Sequence, residues 1–362
     1  WVWKRGCIKM TIEWLAGNRI RGTSAEKPVF GLPSGSVGGW VELGRHVLGS
    51  TASEVFVDSL PDKRYYMVLY EDKGEATAQA RLLRYNSDSG SNYSNRVSTN
   101  GASDTTNTSQ TQHNGWNANN TLPQFNVWYI ANLAGKEKLL LSQGVYQGTA
   151  GAGTAPARTE YAGKWANTSD AINRIGVIQN AGVHGVGTTI TVLGWDPADT
   201  HTTNFWEELG SDTGDGASDD LTVSGITAKK YLWIQFYADP DASWTPRMRF
   251  NSDTGSNYCD RYNINGGTDA TDVNITGAYP GFGGPLPQFY NIFMINNSAN
   301  EKLGINHNNY ANTAGAGTAP ERGEVVMKWA NTSAQITTIA IDALSGTPNL
   351  STSSYLKVWG SD

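Results

Sequence analysis

The first residues in this sequence that could do chemistry are the oxygen-bearing side chains of two near-identical turns. Asn86, Asp88 and Asn92 lie in NSDSGSNY, and Asn251, Asp253 and Asn257 lie in NSDTGSNY. Ca²⁺ takes six to eight oxygen ligands, so each turn could supply part of a calcium shell. Asn and Asp also close hairpins by bonding their own backbone, and the spacing is not that of an EF-hand loop. A hairpin is therefore the expectation and Ca²⁺ the alternative. A second acidic loop, DTGDGASDD, holds Asp212, Asp215, Asp219 and Asp220 and reads as a solvated connection.

The segment His113-Asn114-Gly-Trp116-Asn117 suggests glycan binding, with Tyr279 and Phe282 of AYPGFGG in the matching place and Trp244 of DPDASWTP as a further aromatic. Aromatic rings offer flat apolar faces to the C–H side of a sugar. Planar amides both donate to and accept from its hydroxyls. The same loop could instead plug one end of a sandwich or form a subunit contact. Arg158, Glu160 and Lys164, with Arg322, Glu324 and Lys328, form a charged stripe read as cross-strand ion pairs on a solvated face. As catalytic groups they would need a cleft and shifted pKa values.

No enzyme signature accompanies them. Glu207 and Glu208 are adjacent, so on a strand they point to opposite faces, whereas glycoside hydrolysis uses two carboxylates facing one another across a groove. There is no GxSxG, no phosphate loop and no HExxH. The 5 histidines are scattered, and His307 is matched by Gln143 in the other half. The expectation is a protein without catalytic activity.

Those residues must be positioned by strands. The 362-residue chain is only 38% hydrophobic and holds 41 Gly beside many Asn, Ser and Thr, a mixture that suits short strands and turns rather than helical bundles. A net charge of −6 without any Lys/Arg cluster gives no footprint for nucleic acid. No apolar run is long enough for a spanning helix. Cys7 and Cys259 have neither metal-site nor disulfide-framework spacing.

The organisation is a duplication. TAGAGTAP occurs at 149–156 and 313–320, and KWANTS at 164–169 and 328–333. Between Glu137–Ser169 and Glu301–Ser333, 20 of 33 positions are identical. The offset drifts only from 164 to 166, which places one domain at 40–196, a linker at 197–205 and a second domain at 206–362. Residues 1–39 form a leader, of which 1–9 read as non-native sequence ahead of Met10, without a secretory signal. Alternation such as Leu83 and Tyr85 against Arg84 and Asn86 predicts half-buried strands. Tyr65–Tyr70, Tyr231–Tyr237, Phe125–Ile130 and Phe289–Ile295 are more uniformly apolar and aromatic and read as central strands. The fold class is all-β: two tandem homologous β-sandwiches, jelly-roll-like, behind an extended leader.

With these motifs in view, the chain resembles a group of virion-associated sandwich proteins of phages and archaeal viruses, common in environmental viral sequences. The resemblance rests on RFNSDTGSNY (Arg249–Tyr258), WANTSAQITTI (Trp329–Ile339) and LKVWGSD (Leu356–Asp362), with Arg84–Tyr93, Trp165–Ile175 and Ile190–Asp196 in the first copy. GGWVELGRHVLGS and SLPDKRYYMVL are similar too. It covers nearly everything from Trp40 onward and carries over no catalytic residue. It implies a non-enzymatic structural protein at a virion surface (spike, fibre or capsid-associated), with partners among its own copies, other virion proteins and cell-surface glycans. It implies no membrane insertion. The alternatives are a paired carbohydrate-binding lectin or adhesin, and a double jelly-roll major capsid protein.

Overall fold

A computed structural model of the chain describes residues 13–15, 19–21, 39–75, 80–116, 121–196, 204–281, 283–311 and 313–362. These residues are strands, turns and coil, with no helix among them. β1 (Glu13–Leu15) pairs antiparallel with β2 (Arg19–Arg21). The first repeat then builds β3 (Val41–Val47), β4 (Glu54–Val57), β5 (Tyr65–Asp72), β6 (Arg81–Tyr85), β7 (Tyr93–Thr99), β8 (Thr105–Gln110), β9 (His113–Trp116), β10 (Gln124–Ala131), β11 (Lys138–Tyr146), β12 (Ala157–Trp165), β13 (Ile175–Gln179) and β14 (Thr189–Trp195). The second builds β15 (Glu207–Thr213), β16 (Leu221–Ser224), β17 (Tyr231–Ala238), β18 (Thr245–Phe250), β19 (Tyr258–Ile264), β20 (Ala270–Ile275), β21 (Gln288–Ile295), β22 (Lys302–Tyr310), β23 (Glu321–Trp329), β24 (Thr338–Ser345) and β25 (Tyr355–Ser361).

Each repeat is a sandwich of a large and a small sheet. The large sheets run β3-β14-β5-β10-β11-β12-β7-β8 and β15-β25-β17-β21-β22-β23-β19-β20, so the order matches strand for strand. The small sheets run β4-β13-β6-β9 and β16-β24-β18. In place of the β6–β9 pairing, the second repeat keeps one bridge, Met248 to Ala278. Every named pairing is antiparallel, as the alternating sequence requires. Each sandwich closes over its own apolar core, with Tyr66, Val68, Trp128 and Trp165 in one and Leu232, Ile234, Tyr290 and Trp329 in the other.

The repeated turn motifs staple the two layers. Asn86 and Ser87, like Asn251 and Ser252, adopt positive φ, which Asn tolerates better than most residues. The Asn86 amide oxygen accepts from Asn173 N at 2.9 Å and Arg174 N at 3.1 Å. Asp88 accepts the Trp165 indole N–H at 2.7 Å and the Asn92 amide at 2.9 Å, and Asp253 accepts Trp329 and Asn257 in the same way. The two signature motifs of each repeat therefore touch one another. This corrects the calcium reading: the oxygens of Asn86, Asp88, Asn251 and Asp253 are taken by protein N–H groups, and Asn92 and Asn257 present amide nitrogen, not oxygen, to the carboxylate. Asp215 is similarly used to hold its own turn, through Ala217 N and Ser218 N at 2.8 Å.

One difference between the repeats is electrostatic. Asp72 is fully buried at the end of β5, bonded by Arg81 at 2.6 Å, Tyr70 at 2.9 Å and His184 at 3.2 Å. Burial alone would raise its pKa, but the His184 hydrogen bond and the Arg81 charge outweigh it and hold the carboxyl well below the usual range. The same position on β17 is Ala238, in an apolar setting with Leu350 and Trp244. Removing one partner of a buried pair strands the other's charge. Asp72→Ala is therefore expected to cost about 3–5 kcal/mol, read by urea denaturation at pH 7. The native Asp72 contribution is present above the unfolded carboxyl pKa of about 3.9 and is lost as pH falls below it.

Candidate functional site

Strands β5, β10, β14 and their counterparts carry apolar residues on both faces, so each large sheet has a second face to bury. The two large sheets meet across it. Met67, Leu69, Phe125, Val127, Val145 and Leu193 from the first repeat pack with Tyr231, Phe293, Leu303, Ile305, Val326 and Trp359 from the second. Phe205, at the end of the expected linker, and Trp206 are buried in the same seam, and Phe205 N bonds the Trp40 carbonyl at 2.9 Å.

Equivalent residues meet at the centre of this seam. Gln143 on β11 contacts His307 on β22, its counterpart one repeat later. Glu160 on β12 shares a hydrogen bond with Glu324 on β23, also its counterpart. Arg158 bonds Glu160, reaches Glu324 at 3.1 Å and bonds Asp269 at 2.8 Å. The charged stripe is therefore solvated only in part, with Arg322 and Lys164 reaching solvent and the other end covered. Arg158 is buried, Glu324 nearly so, and Lys328 is wholly enclosed. Strand alternation placed these groups on one face correctly but could not reveal that a second sheet covers Arg158, Glu324 and Lys328.

Beside this cluster the sheets diverge and leave a cleft of about 500 Å³. Its apolar walls are Tyr129, Leu141, Phe293 and Ile305, and its polar ones Gln143, Glu160, Asn291, His307 and Glu324. Burial, and the hydrogen bond with Glu324, push the Glu160 carboxyl up to about 7 against the pull of Arg158. Burial would also raise Glu324, but the bond from Glu160 and the charges of Arg322 and Arg158 lower it. Burial lowers the His307 imidazole. The pair thus holds one proton across the mildly acidic range, one carboxyl as donor and the other as acceptor.

The predicted glycan residues lie elsewhere. His113 is fully buried among the rings of Tyr85, Tyr93 and Tyr161, where burial pushes its pKa down to about 3. Asn114 bonds Gln110 at 2.7 Å. Trp244 is in the core of the second repeat, and Tyr279 is buried with its backbone N–H on Asp260 at 2.8 Å. These three aromatic side chains correct the glycan-loop reading: their rings fill the protein rather than face solvent. The Trp116 backbone pairs with Arg81, and Asn117 and Phe282 lie outside the described residues. Among the described residues no cluster of three acidic, His or Cys side chains could hold a metal ion. No described helix is long and apolar enough to cross a membrane.

No sequence motif marks Tyr129, Leu141, Asn291 or Phe293. The signal for the three apolar ones lies in runs with apolar residues on both faces, which call for two cores, not one.

No family model matches the chain, and no curated protein matches it. Among solved structures it is similar to domains LG4-5 of the mouse laminin alpha1 chain, at 11% identity and a TM-score of 0.20, covering 88% of this chain and 89% of that one. It is also similar to the LG1-3 region of the laminin alpha2 chain, at 6% identity and a TM-score of 0.22, covering 90% of this chain and 62% of that one. The likeness is distant, and the sandwich assignment rests on the sheets themselves.

The acid pair gives a pH signature. The unfolded Glu pKa is about 4.3, and Glu160 in the folded chain is raised to about 7. Its contribution is therefore largest at low pH and declines as pH rises between those two values. Glu160→Gln should remove that decline. Urea denaturation at pH 5 and pH 8 is expected to show the variant gaining on the wild type as pH rises, and parallel profiles would contradict the shared proton.

Proposed function

We propose that this chain is a non-enzymatic structural and surface component of a virus particle that works through assembly. One observation carries the assembly reading. The large sheet of the first repeat presents an apolar groove of about 590 Å³ lined by Trp40, Tyr65, Tyr129, Leu139, Leu141 and Trp195. Tyr129, Leu139 and Leu141 are 39%, 56% and 64% exposed. Contiguous apolar surface rimmed by polar residues marks an interaction site in most proteins that keep it. The particle context draws on the scaffold motifs of both repeats, from Arg84–Tyr93 to Leu356–Asp362. Density-gradient fractionation with quantitative mass spectrometry tests it. The chain is expected to co-sediment with intact particles, with a few dozen copies favouring a spike or fibre and hundreds favouring a shell. Recovery only outside particles would contradict the particle assignment.

A second reading is favoured by the cleft. Tyr129, 39% exposed, offers a ring face beside the Gln143 and Asn291 amides and the Glu160–Glu324 pair, a set suited to a sugar's apolar side and its hydroxyls. On a glycan array, Tyr129→Ala is expected to weaken any bound glycan by about tenfold. An unchanged signal would place the binding elsewhere.

A further inference from the structure

The two TAGAGTAP loops have the same sequence and different surroundings. In the first, Gly151 has φ +81°, and in the second, Gly315 has φ +82°, so the turn is formed alike in both. Loop 149–156 is seated on the second repeat. Lys328 Nζ donates to the Gln147 carbonyl at 3.1 Å and the Thr149 carbonyl at 2.7 Å. Gly151 N–H donates to the Glu301 carboxylate. Arg261 Nε donates to the Pro156 carbonyl at 2.9 Å, Cys259 Sγ to the Thr154 carbonyl at 3.3 Å, and Asn274 N to the Ala152 carbonyl at 3.0 Å. Ala152 is buried at the tip of this plug. Loop 313–320, by contrast, is exposed throughout.

The socket is duplicated as well. Glu301, Lys328 and Arg261 correspond to Glu137, Lys164 and Arg96 in the first repeat, and Asn274 to Ser109. Asn274 and Ser109 share a positive φ, so the backbone donor is presented alike. Lys164 and Glu137 stand 3.1 Å apart with side chains 43% and 42% exposed, and the Arg96 side chain is 60% exposed. The apolar floor beside the filled socket is Leu303, Ile305 and Phe293. Its counterparts beside the empty one are Leu139, Leu141 and Tyr129, the bare groove described above.

We infer that loop 313–320 of one chain seats in the Glu137–Lys164–Arg96 socket of a second copy, repeating between chains the contact that loop 149–156 makes within one. The inference rests on the assembly reading and names its partner. The contact joins unlike surfaces, so it leaves a plug free at one end and a socket at the other. Such a contact propagates into a ring or an open filament according to the rotation per step. The socket's Lys, Arg and Glu face backbone carbonyls and an N–H, so the recognition is of the turn's shape and polarity rather than of side-chain charge.

Full-length protein in sedimentation velocity over a wide concentration range tests this. Ala316→Glu places a charge at the exposed plug tip, where Ala152 is buried in the seated loop, and Lys164→Glu reverses the socket. Each variant should keep the wild-type melting temperature, since both sites are exposed in the single chain. Wild type is expected to form species that grow with concentration, and each variant is expected to associate about 100-fold more weakly. An equimolar mixture of the two variants retains one intact plug and one intact socket and should stop at a dimer. Assembly of Ala316→Glu at wild-type strength would overturn the plug while leaving the assembly reading in place. A wild type that stays monomeric throughout would overturn both.

Discussion

The structure depends on one constraint: each large sheet is apolar on both faces. One face is buried by the small sheet of the same repeat. The other has no partner within its own repeat, and pairing the repeats large sheet to large sheet supplies it. Met67 and Leu69 on β5 point into this seam while Tyr66, Val68 and Tyr70, their neighbours in the strand, point into the sandwich core. A period of two thus serves two cores at once. The molecule is four layers deep because its central strands carry apolar residues on both faces.

Charge is arranged around that seam and fixes its register. Arg158 joins the two sheets through Glu324 and Asp269, Lys230 reaches Glu71 at 3.1 Å and the Thr189 hydroxyl at 2.8 Å, and Lys328 caps the docked loop. An apolar seam alone would tolerate sliding, because burial has no direction. Buried ion pairs do not tolerate it, since a displaced partner is left charged and unsolvated. The meeting of Gln143 with His307 and Glu160 with Glu324 places an approximate two-fold relation at the centre of the seam. That relation holds at one end, where loop 149–156 is seated, and fails at the other, where the sheets part and the cleft opens. Substitution after duplication accounts for part of the asymmetry: Leu69, Val127 and Val145 face the seam from the first repeat, and the second repeat has Gln235, Asn291 and Asn309 in those places.

Much of this was legible in the residues. The repeat, the strands and the turn chemistry of Asn86 and Asn251 follow from pattern and spacing, because they are local or periodic. The largely apolar runs at Tyr65 and Phe125 identify the central strands. The rest depended on which face meets which. His113 and Trp244 have the composition of a binding loop, yet they fill cores, since an aromatic among polar neighbours looks alike whether it points in or out. Arg158 and Glu160 have the alternation of a solvated stripe, and only the presence of a second sheet distinguishes a stripe from a seam. Loops 149–156 and 313–320 are the sharpest case: identical residues, one covered and one bare, a difference that no local reading of either copy contains.

The same pair of loops offers the most direct test of the seam. Their intrinsic amide exchange rates match because their residues match, so any difference in hydrogen exchange reports surroundings alone. At concentrations where the chain is monomeric, the account predicts that the Gly151 amide, which donates to Glu301, exchanges far more slowly than the Gly315 amide. Equal rates at the two glycines would mean that the first loop is not seated and that the two repeats do not share the seam described here.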